Sequence, residues 1–397
     1  MISVNEAIAI VLAHAGQLPP QKAALSANAL RCALAQEIYA NTDIPPFDQS
    51  AMDGYAFRFS DWDKKKPLTI AGEIPAGDAI THDLPPHNAI RIYTGAPVPN
   101  GADTVVMQEK VTLLDNGQQL IISDDLLIKG ANIRPRGSQI QQGSVALQNG
   151  QLLTAGAIGY LAMLGIAEVW ITPRPKITLL ITGNELTPPG FPLKHGQVYE
   201  CNSFSLTAAL QEIHLQPQAI YKAEDDEQQI ATLIQEAVHQ SDILILTGGV
   251  SVGNYDFVPR ALAACGAQTL FHKVKQKPGK PLYFGKINNT LVFGLPGNPA
   301  AVLTGFYRYI VPAIKKMMSL PLSSDALTYR LASDYPKKPG LTFLLKGKIL
   351  NKDEVLPLPN QLSYLMDSFA QADCLIELEE TKADYQKGDT VKIHLFH

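Results

Sequence analysis

The chain has few of the features that mark membrane, secreted or zinc-binding proteins. Its 397 residues include no apolar run of about eighteen, and it starts with neither a basic region nor a cleavable apolar segment. Its four cysteines are scattered without CxxC spacing, which predicts reduced thiols and argues against a zinc site or a disulfide framework. They are Cys32, Cys201, Cys265 and Cys374. We therefore expect a cytoplasmic protein without a membrane segment.

Charge and motif content exclude further classes. The chain has 33 Lys and Arg against 37 Asp and Glu, a net charge of −4, so we expect no nucleic-acid partner. The nine histidines form no HxxxH or HExxH pattern. The glycine loops match neither GxGxxG nor GxxxxGK[ST], and no nucleophile elbow is present. The length predicts two to four domains.

The first half of the chain reads as a β module inserted between helical segments. Ser3 and Glu6 have the spacing of a capping box, which predicts a helix over residues 3–15. We predict further helices over 22–40, which is rich in Ala and Leu, and over 153–165. Between them, from Pro45 to about Arg136, short β-type runs are broken by Pro and Gly.

The second half predicts a doubly wound, mostly parallel α/β sheet followed by a β domain. Predicted strands are Ile177–Ile181, Gln218–Tyr221, Ile243–Leu246, Thr269–Val274 and Thr290–Phe293. Predicted helices are Ser203–Ile213, Asp226–His239, Tyr255–Ala264 and Pro299–Met317. After Pro321 the pattern is typical of a small barrel or sandwich. The predicted domains are 1–43 with 138–172 (helical), 44–137 (β), 173–320 (α/β) and 321–397 (β).

The segment from Pro45 to Phe57 is unusually polar for its apolar surroundings. Asp48 and Asp53 stand five positions apart, with Ser50 between them and Gly54 directly after. This pattern suits a site that binds a metal or a polar ligand, and it equally suits a solvated Asp-Gly hairpin turn. Both interpretations stay open on these residues.

Three loops follow predicted parallel strands, where α/β sheets bind their ligands. They are 182–186, 247–256 and 294–299, and in the third Asn298 is a natural N-cap with Pro299 as first helical residue. Backbone N–H groups of glycine loops and helix starts bind phosphate and other oxyanions. Two glycine loops beside an acidic one predict an anion site at this edge.

Charged residues near these loops refine the prediction. The turn Lys277-Pro278-Gly279-Lys280-Pro281 follows Lys273 and Lys275; alone it is typical of a solvated basic turn, but beside the loops it favours a tetrahedral oxyanion or a phosphate. Glu185, Asp256 and the pair Asp225-Asp226 are the acidic counterparts, although the helix dipole explains at least one of that pair. Carboxylates next to phosphate loops indicate Mg²⁺.

Taken together, the motifs resemble those of the molybdopterin molybdenumtransferases, the MoeA/gephyrin E-domain family. The resemblance spans nearly the whole chain, and its motifs, in order, are FDQSAMDGYA, TGAPVP with ADTVVMQE, NIRPRG, ITGNEL, LTGGVSVGNYD, KPGKP and GLPGNPAAV. It implies a helical linker domain, an inserted β domain, a molybdopterin-binding-type α/β domain and a C-terminal β-barrel. It also implies a homodimer with an active site shared between subunits.

The family's chemistry is Mg²⁺-dependent insertion of molybdate into adenylylated molybdopterin with release of AMP. A molybdopterin adenylyltransferase is the upstream partner that this implies. By motif match, Asp53, Thr94, Glu185, Asp225 and Asp256 would be catalytic, and the last three would hold the metal. Residues that would bind the pterin, its phosphates or molybdate are Ser50, Arg134, Gly183, Gly248, Gly249, Ser251, Gly253, Lys273, Lys277, Lys280, Pro281, Gly297, Asn298 and Ser363.

Five positions depart from the family pattern. An acidic residue is replaced by Asn184, and another is missing beyond the arginine turn, where Ser138 and Gln139 stand. A serine, an arginine and a glycine are replaced by Ala301, Leu341 and Leu362. Two alternatives to the transferase follow: a divergent paralog that binds molybdopterin or a partner as a scaffold, and a related α/β nucleotide-pyrophosphate hydrolase.

Overall fold

The computed structural model describes residues 1–78, 81–250, 257–322 and 327–396. The chain divides into two compact units. The larger unit comprises Met1–Lys22, Arg31–Ala35 and Trp170–His397, and the smaller unit comprises Ala23–Leu30 and Gln36–Val169. Strands Gln21–Ala24 and Glu168–Thr172 carry the chain from one unit to the other.

A six-stranded sheet forms the centre of the larger unit. Four strands are parallel, and the last two continue the sheet through antiparallel pairing. In spatial order they are Pro217–Ala223, Ile177–Thr182, Ile243–Thr247, Thr290–Leu295, Tyr283–Ile287 and Gln268–His272. The predicted doubly wound sheet is confirmed. Strand Tyr283–Ile287 was not predicted, because Gly285 and Lys286 interrupt its short apolar run.

Side chains of the central strands alternate between two cores. Along Ile177–Thr182, residues Ile177, Leu179 and Ile181 join one apolar cluster, while Leu180 joins the other. All four are buried, and complete burial of such a side chain stabilises the fold by about 1.5–3 kcal/mol. Helices cover both faces, as a buried parallel sheet requires. They are Val4–His14, Asn202–Glu212, Glu227–Gln240, Val258–Ala264, Pro299–Gly305 and Val311–Met317.

Local capping explains where two of these helices begin. The Ser3 N–H donates to Glu6 Oε2 at 2.7 Å, and the Glu6 N–H donates to Ser3 Oγ at 3.2 Å, so the predicted capping box is confirmed. Asp226 caps the helix Glu227–Gln240 by accepting from the Gln229 N–H at 2.6 Å. None of the described helices is long and apolar enough to cross a membrane.

The C-terminal strands close into a barrel, as the resemblance implied. The first strand of this sheet, Gln276–Lys277, belongs to the basic turn. The sheet closes because Thr342–Ile349 pairs with Cys374–Leu378 in addition to its two neighbours in the strand order. A 3₁₀ turn, Phe369–Gln371, precedes the last of these. In order the strands are Gln276–Lys277, Thr342–Ile349, Glu354–Pro357, Leu327–Leu331, Thr390–Leu395 and Cys374–Leu378. A separate parallel pair joins Leu186–Thr187 to Val198–Tyr199.

The described residues of the smaller unit are mainly β and form one α-helix, Ala155–Met163, which Thr154 caps. The helix predicted over 153–165 is confirmed. The six-stranded sheet of this unit runs in the order Thr104–Met107, Gly54–Phe57, Asn88–Ile92, Leu68–Ile74, Gln119–Ile122 and Val111–Leu114. Two short ladders pair Gln49–Ser50 with Ile133–Arg134 and Ile38–Tyr39 with Val145–Leu147. The 3₁₀ turns are Ala27–Ala29, Phe59–Asp61, Gln108–Lys110 and Asp115–Gly117.

The helix predicted over 22–40 is wrong. In its place the chain forms a strand, a 3₁₀ turn and two further short strands. Ala33–Leu34 pairs with Ile171 and Thr172, so backbone hydrogen bonds to a distant part of the chain replace those of a local helix. Helix propensity in an Ala- and Leu-rich stretch is a weak preference that such pairing overrides.

A buried ion cluster joins the helical layer to the barrel. The turn Phe306–Ile310 is a π-helix, and its Arg308 donates to Glu377 Oε2 at 2.8 Å. Nε2 of His394 lies 2.8 Å from the same oxygen. Burial opposes ionisation of Glu377, but His394 and Arg308 outweigh it and lower its pKa to about 2. Its contribution to stability is therefore present above pH 4.5 and is lost as the pH falls towards 2.

We predict that Arg308→Met destabilises the larger unit strongly, because it leaves the Glu377 carboxylate without its guanidinium. The expected loss is about 3–5 kcal/mol, visible as a lower midpoint in thermal unfolding followed by circular dichroism. Arg330→Met is the matched control: Arg330 pairs with Asp353 in the same barrel, but both side chains are more than half exposed, and the expected loss is below about 1 kcal/mol. Equal losses in the two variants would contradict the prediction.

Candidate functional site

The carboxyl ends of the four parallel strands meet at one edge of the larger unit's sheet. The Gly183 N–H donates to Ala223 O at 3.4 Å, and the Gly248 N–H donates to Leu295 O at 3.2 Å. The Thr182 hydroxyl donates to Thr247 O at 3.3 Å. Among the described residues, the beginnings of the loops after Ile177–Thr182 and Ile243–Thr247 are thus held by the ends of neighbouring strands.

Gly248 is required where it stands. Its φ is +90°, and a Cβ there would lie 2.4 Å from the carbonyl oxygen of Thr182. Gly249 also has a positive φ, +58°, with Val258 Cγ2 at 3.1 Å from an added Cβ. The two glycines therefore let the loop pass directly over the end of strand Ile177–Thr182.

Asn184 and Asp225 bind each other across neighbouring strand ends. The Asn184 N–H donates to Asp225 Oδ2 at 3.3 Å, and the Asp225 N–H donates to Asn184 Oδ1 at 2.9 Å. The amide of Asn184 keeps the acceptor oxygen that an aspartate would offer and removes one negative charge beside Asp225. Glu185 follows, with its side chain exposed. Asp226 is accounted for by its helix cap.

A cleft of about 460 Å³ opens beside this pair. Gly183 and Asn184 line it, together with Glu200 and Lys222, which the motifs did not indicate. Glu200 is 2% exposed; it accepts from the Ser203 N–H at 2.8 Å and from the Ser203 hydroxyl, and lies 3.9 Å from Lys222 Nζ. An acidic residue just before a helix start was the available signal.

The basic turn and the loop that carries Ser363 both contact the start of helix Pro299–Gly305. A Cβ on Gly279 would lie 3.6 Å from Ala301 O and 3.7 Å from Ala301 Cβ. Asn298 precedes the helix, but its side chain makes no cap; it donates to Ser363 Oγ at 2.8 Å. The Ala300 N–H donates to Ser363 O at 3.1 Å.

The lysines of the basic turn lie around this helix start, as do residues that differ from the family pattern. The ammonium groups of Lys277 and Lys280 belong to exposed residues, while Lys273 and Pro281 are half-buried beside them. Nζ of Lys277 lies 5.1 Å from the ring of Phe343, two residues after Leu341. Ala301 is buried, and Leu362, next to Ser363, is exposed.

Some buried polar atoms near Gly297 have no hydrogen-bond partner among the described residues. The Asn202 amide donates to Gly297 O at 3.0 Å. Its Oδ1 and the hydroxyl of Thr247 are buried and find no hydrogen-bond partner among the described residues. Buried polar atoms of this kind are normally satisfied, and at the open end of a sheet a bound ligand or water can satisfy them.

The predicted residues of the smaller unit form a second group. Asp53 Oδ1 accepts from the N–H and from the hydroxyl of Thr94, both at 2.8 Å. These two bonds lower the pKa of Asp53, so this exposed carboxylate is ionised at neutral pH. The segment is not a hairpin, because Gln49–Ser50 and Gly54–Phe57 belong to different sheets. A Cβ on Gly54 would meet Val106 O at 1.9 Å, which explains the glycine.

The other residues of the smaller unit named in the sequence analysis differ in burial and in hydrogen bonding. Ser50 is buried, and its hydroxyl donates to Met52 O at 2.6 Å inside the turn. Arg134 is exposed on a strand that pairs with Gln49. Asp48 accepts from the Arg136 N–H at 2.7 Å and thereby holds the arginine turn. Gln139 is exposed.

Three predicted residues, Ser251, Gly253 and Asp256, lie outside the described residues. Over the described ranges, no group of three or more His, Cys, Asp or Glu side chains is arranged to hold a metal ion. Of the three predicted metal ligands, Glu185 and Asp225 belong to the described residues, on loops that the Asn184–Asp225 hydrogen bonds join. A pair of carboxylates suits Mg²⁺, which is bound by one or two of them together with substrate phosphates.

Known proteins match this chain from end to end. Three family models match: "MoeA N-terminal region (domain I and II)" over residues 2–165, "Probable molybdopterin binding domain" over 178–316 and "MoeA C-terminal region (domain IV)" over 328–396. The molybdopterin molybdenumtransferase of Haemophilus influenzae is 37% identical over 372 residues, 91% of each chain. The chain belongs to the molybdopterin molybdenumtransferase (MoeA) family. Its members are enzymes of molybdenum cofactor biosynthesis, and the resemblance found in the motifs is confirmed.

Further relatives extend the match. The molybdopterin molybdenumtransferase of Staphylococcus aureus is 32% identical over 409 residues, covering 99% of this chain and 95% of the relative. A crystal structure of the molybdopterin biosynthesis MoeA protein from Pyrococcus horikoshii has a TM-score of 0.78 and 27% identity, and the match covers 100% of both chains. The MoeA fold therefore holds for the whole chain, including the closed C-terminal barrel.

We predict that Gly248→Ala disrupts the strand-end loops. A methyl group there adds a collision with the Thr182 carbonyl to the strain of a positive φ, and backbone atoms cannot rotate away. Gly266→Ala is the matched control, because Gly266 has φ +75° with no atom near an added Cβ, and only the strain of about 1–2 kcal/mol applies. Thermal unfolding should show a clearly larger loss for Gly248→Ala, and a loss no greater than that of the control would refute the close contact.

Proposed function

We propose that this protein inserts molybdate into adenylylated molybdopterin in a Mg²⁺-dependent reaction that releases AMP. One observation carries the proposal: the basic turn and the Ser363 loop meet at the start of helix Pro299–Gly305, which directly follows one of the converging strand ends. Cations and a hydroxyl at one place suit a tetrahedral dianion. Family membership supports the same reaction.

Molybdate would be bound by Lys277 and Lys280 with Ser363. Ser363 Oγ accepts from Asn298, so its own proton is available to donate to an oxyanion. Hydrogen bonds to charged groups of this kind contribute about 1.5–3 kcal/mol each. The backbone around Gly297 would serve the same anion or a neighbouring phosphate.

The phosphoanhydride would lie over the glycine loops. Gly183, Gly248 and Gly249 place no side chain over the sheet edge, and phosphates bind at such glycine loops. The N–H groups of Gly183 and Gly248 are bonded to strand ends, so the phosphate would use other donors of these loops. Glu185 and Asp225 would hold Mg²⁺ there, and the ion would supply neutralising charge for the phosphate oxygens. In the reaction a water molecule would attack phosphorus and form the new P–O bond. The P–O bond of the anhydride would break, AMP would leave with its electron pair, and the protons of the water would pass to solvent. The chain's contribution to this step is to position the groups.

The group around Asp53 completes the proposal. The two bonds from Thr94 lower the pKa of Asp53 and keep it ionised, so the carboxylate would accept hydrogen bonds from the pterin. We propose that it acts in a homodimer, facing the α/β domain of the other subunit. A molybdopterin adenylyltransferase would supply the substrate, and the cytoplasm is the proposed location.

The direct test is AMP release by the purified protein given adenylylated molybdopterin, Mg²⁺ and molybdate. The expected result is AMP and molybdenum cofactor in equal amounts, with release abolished by omission of molybdate or by a chelator of Mg²⁺. A folded protein that shows no turnover at high concentration would refute the transferase. Cleavage of other nucleotide pyrophosphates at comparable rates would instead favour the hydrolase.

A specific observation favours the scaffold as second candidate: the departures Ala301, Leu341 and Leu362 all lie near the proposed molybdate site. Tight pterin binding without molybdate-dependent AMP release would support it. We predict that Leu341→Arg combined with Ala301→Ser raises the rate of AMP release at low molybdate, because it adds a guanidinium and a hydroxyl to an anion site. The exposed substitution Leu350→Arg is the control for added charge, and an unchanged rate in the double variant would show that these positions do not limit turnover.

Mixed dimers test the shared active site. Asp53→Asn and Lys277→Met should each abolish activity. When the two variants are unfolded and refolded together, half the dimers are mixed and one of their two sites carries both native residues, so about a quarter of wild-type activity should return. Recovery is expected only if the two residues belong to different subunits of one site. Absence of recovery, with mixed dimers confirmed by tagged subunits, would contradict the shared site.

A further inference from the structure

A buried polar pair underlies the basic turn. Tyr309 is 0% exposed and Gln276 is 1% exposed, and both lie where the surrounding core is apolar. Tyr309 belongs to the π-helical turn Phe306–Ile310, and Gln276 belongs to the first strand of the barrel. Burial raises the pKa of Tyr309, so its hydroxyl keeps its proton and acts as a donor.

The geometry sets the direction of every bond in this pair. Gln276 Nε2 donates to Pro278 O at 3.0 Å and to Gly279 O at 3.2 Å. Because carbonyls accept, the nitrogen of the amide must face the turn, and the oxygen must face Tyr309. The Tyr309 hydroxyl donates to that oxygen in a short hydrogen bond. The tyrosine therefore orients the glutamine, and the glutamine uses both its N–H groups on the turn.

The bonds reach the backbone between the two exposed lysines. Pro278 and Gly279 separate Lys277 from Lys280, so their carbonyl positions determine where the ammonium groups start. The turn is otherwise tied down at its ends, by strand pairing of Lys277 with Phe343 and by the Val274 N–H, which donates to Lys280 O at 3.0 Å. The middle of the turn depends on Gln276.

We propose that Gln276 and Tyr309 are positioning residues that hold the Lys277–Lys280 turn in the geometry needed to bind a tetrahedral oxyanion. The inference rests on the proposed function in naming the anion as molybdate, but the ordering of the turn does not depend on it. Neither residue would touch the anion. Their effect would pass through the turn carbonyls to the two ammonium groups.

If Gln276 and Tyr309 only stabilised the fold, the variants would behave differently from variants of residues that position the turn. Replacement of a buried hydrogen-bonded pair by apolar groups of similar shape is often nearly neutral for stability, whereas removal of one partner is not. Tyr309→Phe leaves Gln276 Oε1 buried without a donor. Tyr309→Phe with Gln276→Leu removes that oxygen as well, but it leaves the Pro278 and Gly279 carbonyls without their donor and releases the turn. A role in stability alone would lower the thermal midpoint without changing exchange in the turn or the KM for molybdate, so the two roles can be separated.

The experiment compares these two variants with wild type and with Tyr307→Phe. Tyr307 is the matched control, because its hydroxyl donates to Glu212 Oε2 at 2.8 Å and is not bonded to the turn. Amide hydrogen exchange of peptides covering residues 274–282 is measured without substrate, together with the thermal midpoint. AMP release is then measured against molybdate concentration to obtain KM and kcat.

We expect faster exchange in residues 274–282 and a KM for molybdate raised roughly tenfold in both variants, the size of effect that follows from the loss of one or two hydrogen bonds. At saturating molybdate kcat should change little in either variant. Tyr307→Phe should match wild type in exchange of residues 274–282 and in KM for molybdate, because the bond it loses goes to Glu212 and not to the turn. A double variant with wild-type exchange and wild-type KM would overturn the proposal.

The exchange measurement separates this inference from the proposed function. If wild type releases no AMP, the transferase proposal fails, and exchange alone decides the positioning. Faster exchange in the turn of both Tyr309 variants, with no change in Tyr307→Phe, would support it. Unchanged exchange would overturn it.

Discussion

Parallel pairing of four strands is the constraint on which the proposed site depends. It brings the ends of Ile177–Thr182, Pro217–Ala223, Ile243–Thr247 and Thr290–Leu295 to one edge, although these segments are far apart in sequence. Hydrogen bonds between each loop and the neighbouring strand end then hold the loops together. A glycine at 248 is needed because no side chain fits where one loop crosses the Thr182 carbonyl. One sheet thus brings together the loops that the proposed reaction needs.

The barrel contributes to the same place through the basic turn. Gln276–Lys277 is a strand of the barrel, while the residues just after it rest against the first turn of helix Pro299–Gly305. The barrel also supplies Ser363, and the ion cluster at Arg308 anchors its wall to the helices. The proposed molybdate site is therefore built by the α/β fold and the barrel together, with the π-helical turn supplying residues to both contacts.

Much of the fold and part of the candidate site were predictable from the sequence, because the signals were local or combined into a family pattern. The capping box at Ser3, the alternation of strands and helices, and the glycine loops after strands were predicted correctly, whereas the Asn298 side chain makes no cap. The helix predicted over 22–40 failed because distant pairing outweighed local propensity. Glu200, Lys222, Gln276 and Tyr309 were not predicted as parts of the site, since each matters through partners that only the fold brings near.

We propose that the basic turn and the Ser363 loop bind a tetrahedral dianion at the start of helix Pro299–Gly305. A crystal structure with tungstate tests this binding, because the anomalous scattering of tungsten locates the anion without ambiguity. We expect a single strong peak within hydrogen-bonding distance of the Lys277 or Lys280 ammonium and the Ser363 hydroxyl. An ordered turn with no peak there, or a peak bound only elsewhere on the sheet edge, would contradict it.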